Sequence, residues 1–257
     1  PGTGKTMLAQ ALLGLLPEPS VEEKLTITKM LSLAGEALDD VISHRPFRTP
    51  HHTSSRTAMI GGGSHPQPGE ISLAHHGVLF LDELPEYPRA TLEALRQPLE
   101  DRQVAISRAQ SKVTYPADFT LIATMNPCPC GYFSDASREC TCSSIQVSNY
   151  QRKLSGPLLD RIDIIVTVPR VAHDTLLEHN TLSKKQHEVA KKSIETALNR
   201  QKQRYRSSNK YNNMISSREI RSLISLSEEP KRILAMATER LQLSTRTYFK
   251  IIRVART

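Results

Sequence analysis

The sequence predicts an α/β fold in which a parallel β-sheet is followed by a small all-helical domain. Two short apolar segments, Val78–Leu81 and residues 119–125, have the length and composition of strands that are buried on both faces. Apolar residues at helical spacing lie between them, over residues 88–99. From about Thr175 the chain is polar, basic and compatible with helix to its end. Strands that alternate with helices are typical of a parallel sheet.

The first half of the chain supplies the elements around these strands. Glycines at its start predict a tight loop, and apolar residues at positions 7–16 predict the helix that follows. Residues 45–69 are rich in His, Pro, Ser and Gly, and we expect long loops around a short insert there. Residues 103–107 and 112–115 predict a β-hairpin before the second buried strand.

The composition also predicts where the domains end. A third apolar segment, residues 162–168, predicts another strand of the sheet. Because the composition changes after Pro169, we place one domain at residues 1–170 and a helical domain at residues 175–257. We expect breaks between helices near residues 207–213 and near Pro230.

Length and composition limit the class of protein. With 257 residues, 38% of them apolar, the chain can bury one sizeable core and a smaller unit. No apolar run reaches the roughly 20 residues that cross a bilayer, so we expect a soluble, cytoplasmic protein that does not insert into membranes. Pro1 lies inside a motif, so we expect the natural chain to begin before it.

The net charge of +8 is concentrated in the last third of the chain. Residues 1–174 contain 16 Lys and Arg against 19 Asp and Glu, whereas residues 175–257 contain 18 against 7. Such a basic segment suits a phosphate-rich partner such as nucleic acid, through counterion release, and it equally suits a solvated helical face. Charge alone leaves both interpretations open.

The clearest chemical motif stands at the start of the chain. Residues 2–6, Gly-Thr-Gly-Lys-Thr, match the second half of the phosphate-binding loop G-x-x-x-x-G-K-[ST]. Gly2, Thr3 and Gly4 would turn backbone N–H groups towards phosphates. Lys5 would reach the β and γ phosphates, and the Thr6 hydroxyl would bind Mg²⁺.

An acidic pair, Asp82 and Glu83, directly follows the first buried strand. It therefore lies at the carboxyl edge of the predicted sheet, where α/β folds bind ligands. Asp82 would hold Mg²⁺ through its water shell, and Glu83 would polarise the attacking water as a general base. Asn126 ends the second buried strand and would orient the same water by hydrogen bonds.

The four cysteines of the chain form two C-x-C pairs in one turn-rich segment: Cys128, Cys130, Cys140 and Cys142. Four thiolates at this spacing can hold a tetrahedral Zn²⁺, although C-x2-C is the more familiar spacing. Disulfides are the less favoured alternative in a cytosolic protein, and four reduced thiols in a loop remain an open one. A zinc ion here would be structural and not catalytic.

Histidines are frequent near the Gly-rich insert: His51, His52, His65, His75 and His76. Their spacing matches no zinc site well, and histidines in polar loops more often hydrogen-bond within turns than bind metals. We therefore do not expect a histidine metal site.

Five blocks of sequence carry a resemblance to a known family. They are RPFRTPHHT at 45–53, GGGSHPQPGEISLAHHGVLFLDELPE at 61–86, LEALRQPLED at 92–101, ATMNPCPCGY at 123–132 and SGPLLDRID at 155–163. In this order they resemble the magnesium chelatase-like AAA+ family, and most of all its competence-protein branch, ComM/YifB. The resemblance covers nearly the whole chain. It implies an AAA+ P-loop core that hydrolyses ATP with Mg²⁺, a helical lid, and an upstream Lon-like domain.

The resemblance also implies roles for two arginines. Arg161, in LLDRID, resembles the arginine finger that reaches the nucleotide of a neighbouring subunit. Such an arginine neutralises charge on the γ-phosphate, an effect of order 10³–10⁵ in rate. Arg246, in STRTYFKIIRVART, is similar to the second sensor arginine of the lid. A finger that acts on a neighbour implies a ring, which we expect to be a homohexamer.

The hairpin and the insert take further roles from the resemblance. Residues 104–113, VAISRAQSKV, resemble the hairpin before the first sensor, which related helicases push into their central channel. Arg108 and Lys112 would then contact a DNA backbone, although Gln110 stands where the family often has a basic residue. Residues 56–69 would form the helix-2 insert.

ATP hydrolysis coupled to movement on DNA is the function that the resemblance implies, with branch migration in recombination or natural transformation as the process. One alternative keeps the ATPase and changes its substrate to a protein or a metal-insertion complex, as in a chelatase. Another is a scaffold that binds nucleotide without hydrolysing it. The presence of Glu83 and Arg161 argues against the scaffold.

Overall fold

The computed structural model describes residues 4–36, 40–107, 112–133, 135, 138–168, 182–207 and 210–257. The chain forms two compact units. Unit 1 comprises Pro1–Ile162 with Val166–Glu178, and unit 2 comprises Asp163–Ile165 with His179–Thr257. The predicted fold class is confirmed, because a mixed α/β unit with a parallel sheet is followed by a helical region.

The elements follow one another in this order along the chain. The strands are β1 (Phe47–Arg48), β2 (Gly61–Gly62), β3 (Gln67–Pro68), β4 (Val78–Leu81), β5 (Gln103–Ser107), β6 (Lys112–Pro116) and β7 (Thr120–Ala123). The helices of unit 1 are α1 (Lys5–Leu13), α2 (Val21–Leu33), α3 (Arg56–Ile60), α4 (Glu70–Leu73), α5 (Arg89–Ala94), α6 (Arg96–Asp101), α7 (Ser144–Gln151) and α8 (Gly156–Leu159). Those of unit 2 are α9 (Leu182–Tyr205), α10 (Ser217–Leu223), α11 (Glu228–Leu241) and α12 (Thr245–Ala255). Short 3₁₀ turns lie at Leu84–Glu86 and Asn212–Met214.

A three-stranded parallel sheet, in the order β1, β4, β7, forms the centre of unit 1. Every residue of β4 is buried, because other elements cover both faces of a central parallel strand. Apolar side chains from the sheet, the helices and the hairpin share the main core: Met59, Ile71, Leu79, Leu81, Leu92, Leu95, Val104, Ile106 and Leu158. Full burial of such a side chain stabilises the fold by about 1.5–3 kcal/mol.

Gly77 allows β1 to lie beside β4. The backbone N–H of Val78 donates a hydrogen bond to the Pro46 carbonyl oxygen at 2.8 Å. A Cβ atom on Gly77 would overlap the same carbonyl oxygen, so only glycine permits this approach. The two-residue strand β1 then pairs in parallel with the start of β4, as Phe47 with Val78.

Two antiparallel pairs lie outside the central sheet. Strands β2 and β3 pair within the expected insert, which also contains α3. Strands β5 and β6 form a hairpin in which Gln103 pairs with Pro116 and Ser107 with Lys112. Alternate residues of β5 are buried, as expected for a strand with one face on the core.

The prediction of a strand at residues 162–168 is wrong. These residues form no strand, and Ile164, Ile165 and Val166 are 66%, 76% and 72% exposed. A strand needs a neighbour whose backbone accepts and donates its hydrogen bonds. Within the described part of the chain, β7 pairs on one side only, with β4. An apolar run of this length predicts a strand from its composition alone, and composition does not show whether a neighbour is there.

Unit 2 is helical around its own small core: Ile215, Ile220, Ile224, Phe249 and Ile252. The break predicted near residues 207–213 falls between α9 and α10. The break predicted near Pro230 is confirmed at residues 224–227, since α10 ends at Leu223 and α11 begins at Glu228, with Pro230 as its third residue. Proline is tolerated in the first turn of a helix, where its missing N–H would have no partner in the helix. Of the described helices, none combines the length and the apolar character that crossing a bilayer requires.

Candidate functional site

Helix α1 begins directly after the glycine loop. Gly4 caps the helix with a φ of 72°, in the left-handed region that favours glycine. Lys5 and Thr6 therefore stand in the first turn, where backbone N–H groups without helical partners attract anions. Gly2 and Thr3, predicted to line the same loop, lie outside the described residues.

The register of the parallel sheet brings two polar segments side by side. Leu81 at the end of β4 pairs with Ala123 at the end of β7. Asp82 follows the first of these residues and Thr124 follows the second, so both leave the sheet at its carboxyl edge. This is the edge at which parallel α/β sheets bind ligands.

Lys5 and Thr6 reach across to these strand ends. The Lys5 ammonium donates hydrogen bonds to Asn126 Oδ1 at 2.8 Å and to the Met125 carbonyl oxygen at 2.9 Å. The Thr6 hydroxyl donates to Asp82 Oδ2 at 3.3 Å. One cation, one hydroxyl, one carboxylate and one amide therefore converge at the N-terminus of α1. We call these four residues, Lys5, Thr6, Asp82 and Asn126, the strand-edge cluster.

Thr124 is a member of this neighbourhood that the sequence analysis did not identify. Its hydroxyl donates a short hydrogen bond to Asp82 Oδ1 and accepts one from the Glu83 backbone N–H at 3.0 Å. The side chain is buried, with 8% of the residue exposed. Thr124 thus orients the Asp82 carboxylate and fixes the backbone of Glu83. No sequence pattern marks Thr124, because its place beside Asp82 depends on the register of β7 against β4.

Glu83 has an unusual backbone conformation. Its φ is 51°, in the left-handed region, which costs a residue other than glycine of order 1–3 kcal/mol. Two hydrogen bonds to Thr124 hold this conformation. The Glu83 N–H donates to the Thr124 hydroxyl, and the Leu84 N–H donates to the Thr124 carbonyl oxygen at 2.8 Å. Glu83 itself is exposed, so its carboxylate is accessible to water.

Two tyrosines lie near the cluster. Burial and then the Asp82 carboxylate raise the pKa of Tyr87 to about 12, and its hydroxyl donates to the Pro50 carbonyl oxygen at 2.5 Å. Burial also raises the pKa of Tyr150, which shares a hydrogen bond with the backbone of Asn126. Both tyrosines are therefore neutral near pH 7 and serve as hydrogen-bonding groups.

Arg161 is held by groups of its own chain. Its guanidinium donates to the Arg96 carbonyl oxygen at 3.0 Å, to the Pro157 carbonyl oxygen at 2.6 Å and to Glu100 Oε2 at 2.5 Å. The side chain is 11% exposed, whereas that of Glu100 is 48% exposed. The structure therefore places Arg161 between α6 and α8, in a network of directed hydrogen bonds.

The other predicted contact residues lie in separate places. Arg246 is the second residue of α12 in unit 2. Lys112 begins β6 opposite Ser107 and is exposed next to the hairpin tip. Arg108 and Gln110 belong to residues 108–111, which lie outside the described part of the chain.

Histidines His75 and His76 form a ring pair at the other end of β4. Their ring centroids lie 3.7 Å apart, and the Asp118 backbone N–H donates to His75 Nδ1 at 3.0 Å. Burial, and then the neighbouring His76, lower the pKa of His75 to about 3. His75 is therefore neutral near pH 7, with Nδ1 as a hydrogen-bond acceptor.

The four cysteines form a compact group, with their sulfur atoms all within 4.8 Å of one another. Cys128 Sγ lies 3.4 Å from Cys130 Sγ and 3.7 Å from Cys140 Sγ, and Cys130 Sγ lies 3.6 Å from Cys140 Sγ. The thiols are free. Four thiolates at about 2.3 Å from a tetrahedral zinc are about 3.8 Å from one another, so this donor set fits Zn²⁺. Among the described residues, it is the one group of His, Cys, Asp or Glu side chains close enough to share an ion.

Comparison with protein families shows where this chain belongs. The family model described as magnesium chelatase, subunit ChlI, matches residues 1–176, and that of the ChlI C-terminal region matches residues 184–257. The chain belongs to the magnesium chelatase ChlI family. The first match contains the strand-edge cluster and the cysteines, and the second contains α10 to α12 and all but the first two residues of α9 in this ChlI-family chain.

Similarity over the full chain supports the ComM/YifB branch of the ChlI family. The chain is 45% identical to the uncharacterized protein YifB of Salmonella typhimurium and 42% identical to the competence protein ComM of Haemophilus influenzae. Each match extends over 258 residues, which is 100% of this chain and 50% of the relative. The magnesium-chelatase 67 kDa subunit of Chlorobaculum parvum is 28% identical over 128 residues, 49% of this chain and 18% of the relative. The chain thus spans about half the length of the curated relatives that it matches throughout.

Proposed function

We propose that this chain is the core of an ATP-hydrolysing ring motor that moves along DNA. The convergence of Lys5, Thr6, Asp82 and Asn126 supports this proposal most directly. The strand-edge cluster offers a cation for phosphates, oxygen ligands for Mg²⁺ and an amide that can hold a water molecule. Membership of the ChlI family, which contains AAA+ proteins, supports ATP as the nucleotide.

In this proposal each residue of the site has a role in ATP hydrolysis. Lys5 contacts the β and γ phosphates, and Thr6 and Asp82 supply oxygens for Mg²⁺, an ion that prefers oxygen ligands and retains water. The ion, when bound, would neutralise charge on the phosphates. Glu83 accepts a proton from the attacking water, which Asn126 orients. Gly2, Thr3 and Gly4 would complete the phosphate loop.

Two further arginines belong to the proposed site. Arg161 would reach the nucleotide of a neighbouring subunit in a homohexameric ring, and Arg246 would reach it from the helical lid of residues 175–257. An arginine that neutralises the γ-phosphate contributes of order 10³–10⁵ in rate. In this structure the Arg161 guanidinium is 11% exposed and donates to its own chain, so the proposed contact requires it to exchange these hydrogen bonds for the neighbouring nucleotide.

The four cysteines, Cys128, Cys130, Cys140 and Cys142, would hold a structural Zn²⁺. Their sulfur atoms are all within 4.8 Å of one another, as a single ion requires. Four protein ligands complete a tetrahedral site and leave no position for a substrate. The ion would therefore stabilise its segment and take no part in the chemistry.

DNA is the proposed substrate of the motor. Lys112 is exposed beside the hairpin tip that contains Arg108, and residues 175–257 carry 18 Lys and Arg against 7 Asp and Glu. The relative ComM is named as a competence protein, and competence is the uptake of DNA. Movement on DNA in the cytoplasm, with branch migration during recombination or natural transformation, fits these features.

A remodeller that acts on a protein or a metal-chelatase complex is the second candidate. The match to the magnesium-chelatase 67 kDa subunit favours it, because that relative is a chelatase component by name. The two candidates share the ATPase site and differ in what stimulates it.

The test of the ATPase is turnover of ATP by the full-length protein, with and without branched DNA. We expect DNA to raise the rate several-fold and Glu83→Gln to abolish it. Glu18→Gln, a change at an exposed glutamate of the same unit, is the matched control and should leave the rate unchanged. Turnover that survives Glu83→Gln would contradict the assignment of the base, and turnover indifferent to DNA would favour the remodeller.

The test of the DNA contact is the salt dependence of binding. Each phosphate contact contributes about 0.9 to the slope of log affinity against log salt on duplex DNA. We expect Arg108→Ala with Lys112→Ala to weaken DNA binding and reduce that slope, while ATP turnover without DNA is retained. Lys29→Ala, at an exposed lysine of α2, is the control. An unchanged slope would exclude the hairpin as the contact.

A further inference from the structure

The segment that contains the cysteines has little apolar packing of its own. Residues 127–143 connect β7 to α7, and their described part contains no helix or strand. Cys128 and Gly131 are the buried residues among those described. Fixing a loop costs about 1–2 kcal/mol of backbone conformational entropy per residue. Apolar burial is too small here to offset that cost, so another interaction must fix the segment.

Backbone N–H groups surround the sulfur atoms. The Phe133 N–H donates to Cys128 Sγ at 3.3 Å, and the backbones of Tyr132 and Thr141 hydrogen-bond to the Cys130 sulfur. Such hydrogen bonds stabilise thiolates and fix the direction in which each one points. The sulfur geometry and these surrounding donors together form a site that is complete for a tetrahedral ion.

The two cysteine pairs lie at the two ends of the segment. Cys128 stands two residues after Asn126, and Cys142 stands directly before Ser143. Ser143 caps α7, since its hydroxyl accepts a hydrogen bond from the Gln146 N–H at 3.3 Å. An ion held by both pairs would therefore join the end of β7 to the start of α7.

Helix α7 then returns to the strand end. The Gln151 side-chain amide donates to the Pro127 carbonyl oxygen at 3.1 Å, and buried Tyr150 shares a hydrogen bond with the Asn126 backbone. Asn126 also precedes a proline, which restricts its backbone to extended conformations. The backbone of Asn126 therefore has little freedom to move relative to residues 127 and 128.

We infer that Zn²⁺ bound by Cys128, Cys130, Cys140 and Cys142 is a clamp that positions Asn126 against Lys5. This inference rests on the proposed ATP hydrolysis, in which Asn126 orients the attacking water. The ion acts through the loop and touches neither nucleotide nor water. It is a positioning device for the strand-edge cluster.

The clamp predicts a specific kinetic effect. A displacement of about 1 Å in a catalytic group can cost on the order of 10²-fold in rate. Removal of the metal should therefore lower kcat by about tenfold to a hundredfold. The affinity for ATP should change little, because the loop before α1 and Lys5 supply most of the phosphate contacts.

The first experiment measures the metal on the purified full-length protein. We expect one Zn²⁺ per chain, and X-ray absorption should show four sulfur ligands at about 2.3 Å. Replacement by Co²⁺ should give the visible absorption of a tetrahedral tetrathiolate site. Cys140→Ser with Cys142→Ser should lose the metal, whereas Glu139→Gln, at an exposed residue beside Cys140, should retain it. A protein without bound metal, and without a Co²⁺ spectrum, overturns the inference.

The second experiment tests the action through Asn126. ATP turnover and ATP affinity are measured for protein with zinc, protein stripped by a chelator, and stripped protein reloaded with zinc. The same three samples are prepared for Asn126→Ala. We expect metal removal to lower kcat in the natural protein and to have little further effect in Asn126→Ala, because the two changes act on one group. An equal loss in both proteins means general destabilisation and overturns the clamp.

Failure of the proposed function gives a different pattern. A protein that binds zinc through four sulfurs but hydrolyses no ATP contradicts the proposed function alone. The clamp is then tested by amide hydrogen exchange, which should accelerate at residues 124–133 when the metal is removed. Unchanged exchange at these residues would overturn the clamp whatever the protein hydrolyses.

Discussion

The Lys5 ammonium donates a hydrogen bond of 2.8 Å to the Asn126 side-chain oxygen, although 121 positions separate the two residues in the chain. The contact joins the first turn of α1 to the end of β7. In the proposed mechanism Lys5 contacts the phosphates and Asn126 orients the attacking water, so a change at Lys5 and a change at Asn126 should affect different steps.

Replacement of the Lys5 cation should weaken nucleotide binding. Lys5→Met keeps an unbranched side chain and removes the charge, and hydrogen bonds to charged groups contribute roughly 1.5–3 kcal/mol. We expect the affinity for ATP to fall by about tenfold to a hundredfold. Titration with a fluorescent ATP analogue measures it, and Lys29→Met on the exposed face of α2 is the control. If the affinity of Lys5→Met for ATP is unchanged, Lys5 does not contact the nucleotide.

Loss of the Thr124 hydroxyl should disturb both acidic residues. Thr124→Val keeps the shape of the side chain and leaves Asp82 Oδ1 and the Glu83 N–H without their shared partner. Asp82 and Glu83 are exposed, so water replaces part of the lost contact, and the free energy of unfolding should fall by about 0.5–1.5 kcal/mol, the net contribution of an ordinary hydrogen bond. ATP turnover should fall by about tenfold or more, and more Mg²⁺ should be needed for half-maximal rate. Urea denaturation and a Mg²⁺ titration of turnover measure the two effects.

Two variants control the Thr124 experiment. Thr124→Ser retains the hydroxyl and should recover most of the turnover. Thr120→Val, at an exposed position of the same strand, should change neither turnover nor Mg²⁺ dependence. If Thr124→Ser is as slow as Thr124→Val, packing of the methyl group is responsible and the hydrogen-bond role is wrong.

Arg161 should act on a neighbouring subunit. Arg161→Ala and Glu83→Gln should each be inactive alone, because each removes one component of every composite site. A mixture of the two variants should regain part of the turnover, since some interfaces then combine an intact Glu83 with an intact Arg161. Arg89→Ala, at an exposed arginine, is the matched control and should hydrolyse ATP normally on its own. A mixture that stays inactive would argue against the arginine finger.

His75 should make the fold sensitive to acid. Its pKa is about 3 in the folded protein, against an ordinary value of 6.5. Below pH 6.5 the unfolded chain therefore binds a proton that the folded protein does not. The free energy of unfolding should be fully present above pH 6.5 and fall as the pH decreases towards 3, with a slope approaching about 1.4 kcal/mol per pH unit.

A pair of variants isolates that contribution. His75→Asn keeps an acceptor for the Asp118 N–H and removes the titration, so its stability should depend less on pH between 7.5 and about 5. His65→Asn, at an exposed histidine, should behave as the natural protein does. Urea denaturation at several pH values measures the slopes. Equal slopes in His75→Asn and the natural protein would show that another group titrates.

Much of the candidate site could be predicted from the sequence, because local motifs contain it. Lys5 and Thr6 belong to a phosphate-loop pattern, and Asp82 and Asn126 each end an apolar strand. Thr124 belongs to no such pattern. Its role depends on the register of β7 against β4 and on a hydrogen bond between residues 41 positions apart, which periodicity does not encode.

The errors in the predicted fold also have physical causes. Residues 162–168 are apolar enough for a strand, but strand formation depends on a neighbouring backbone that the composition does not show. The break near Pro230 falls a few residues before the proline, because proline is tolerated in the first turn that follows the cap at Ser227. For the cysteines, the spacing left zinc and free thiols open, and the distances between sulfur atoms favour the metal.

The edge strand β7 has a consequence for handling the protein in solution. In the described part of the chain the outer edge of β7 has no strand partner. Unprotected edges pair with other chains. Copies of this 257-residue span, produced alone, should therefore form mixed aggregates at high concentration. Particle sizes measured on such samples would reflect association at this strand edge and not the assembly of a ring.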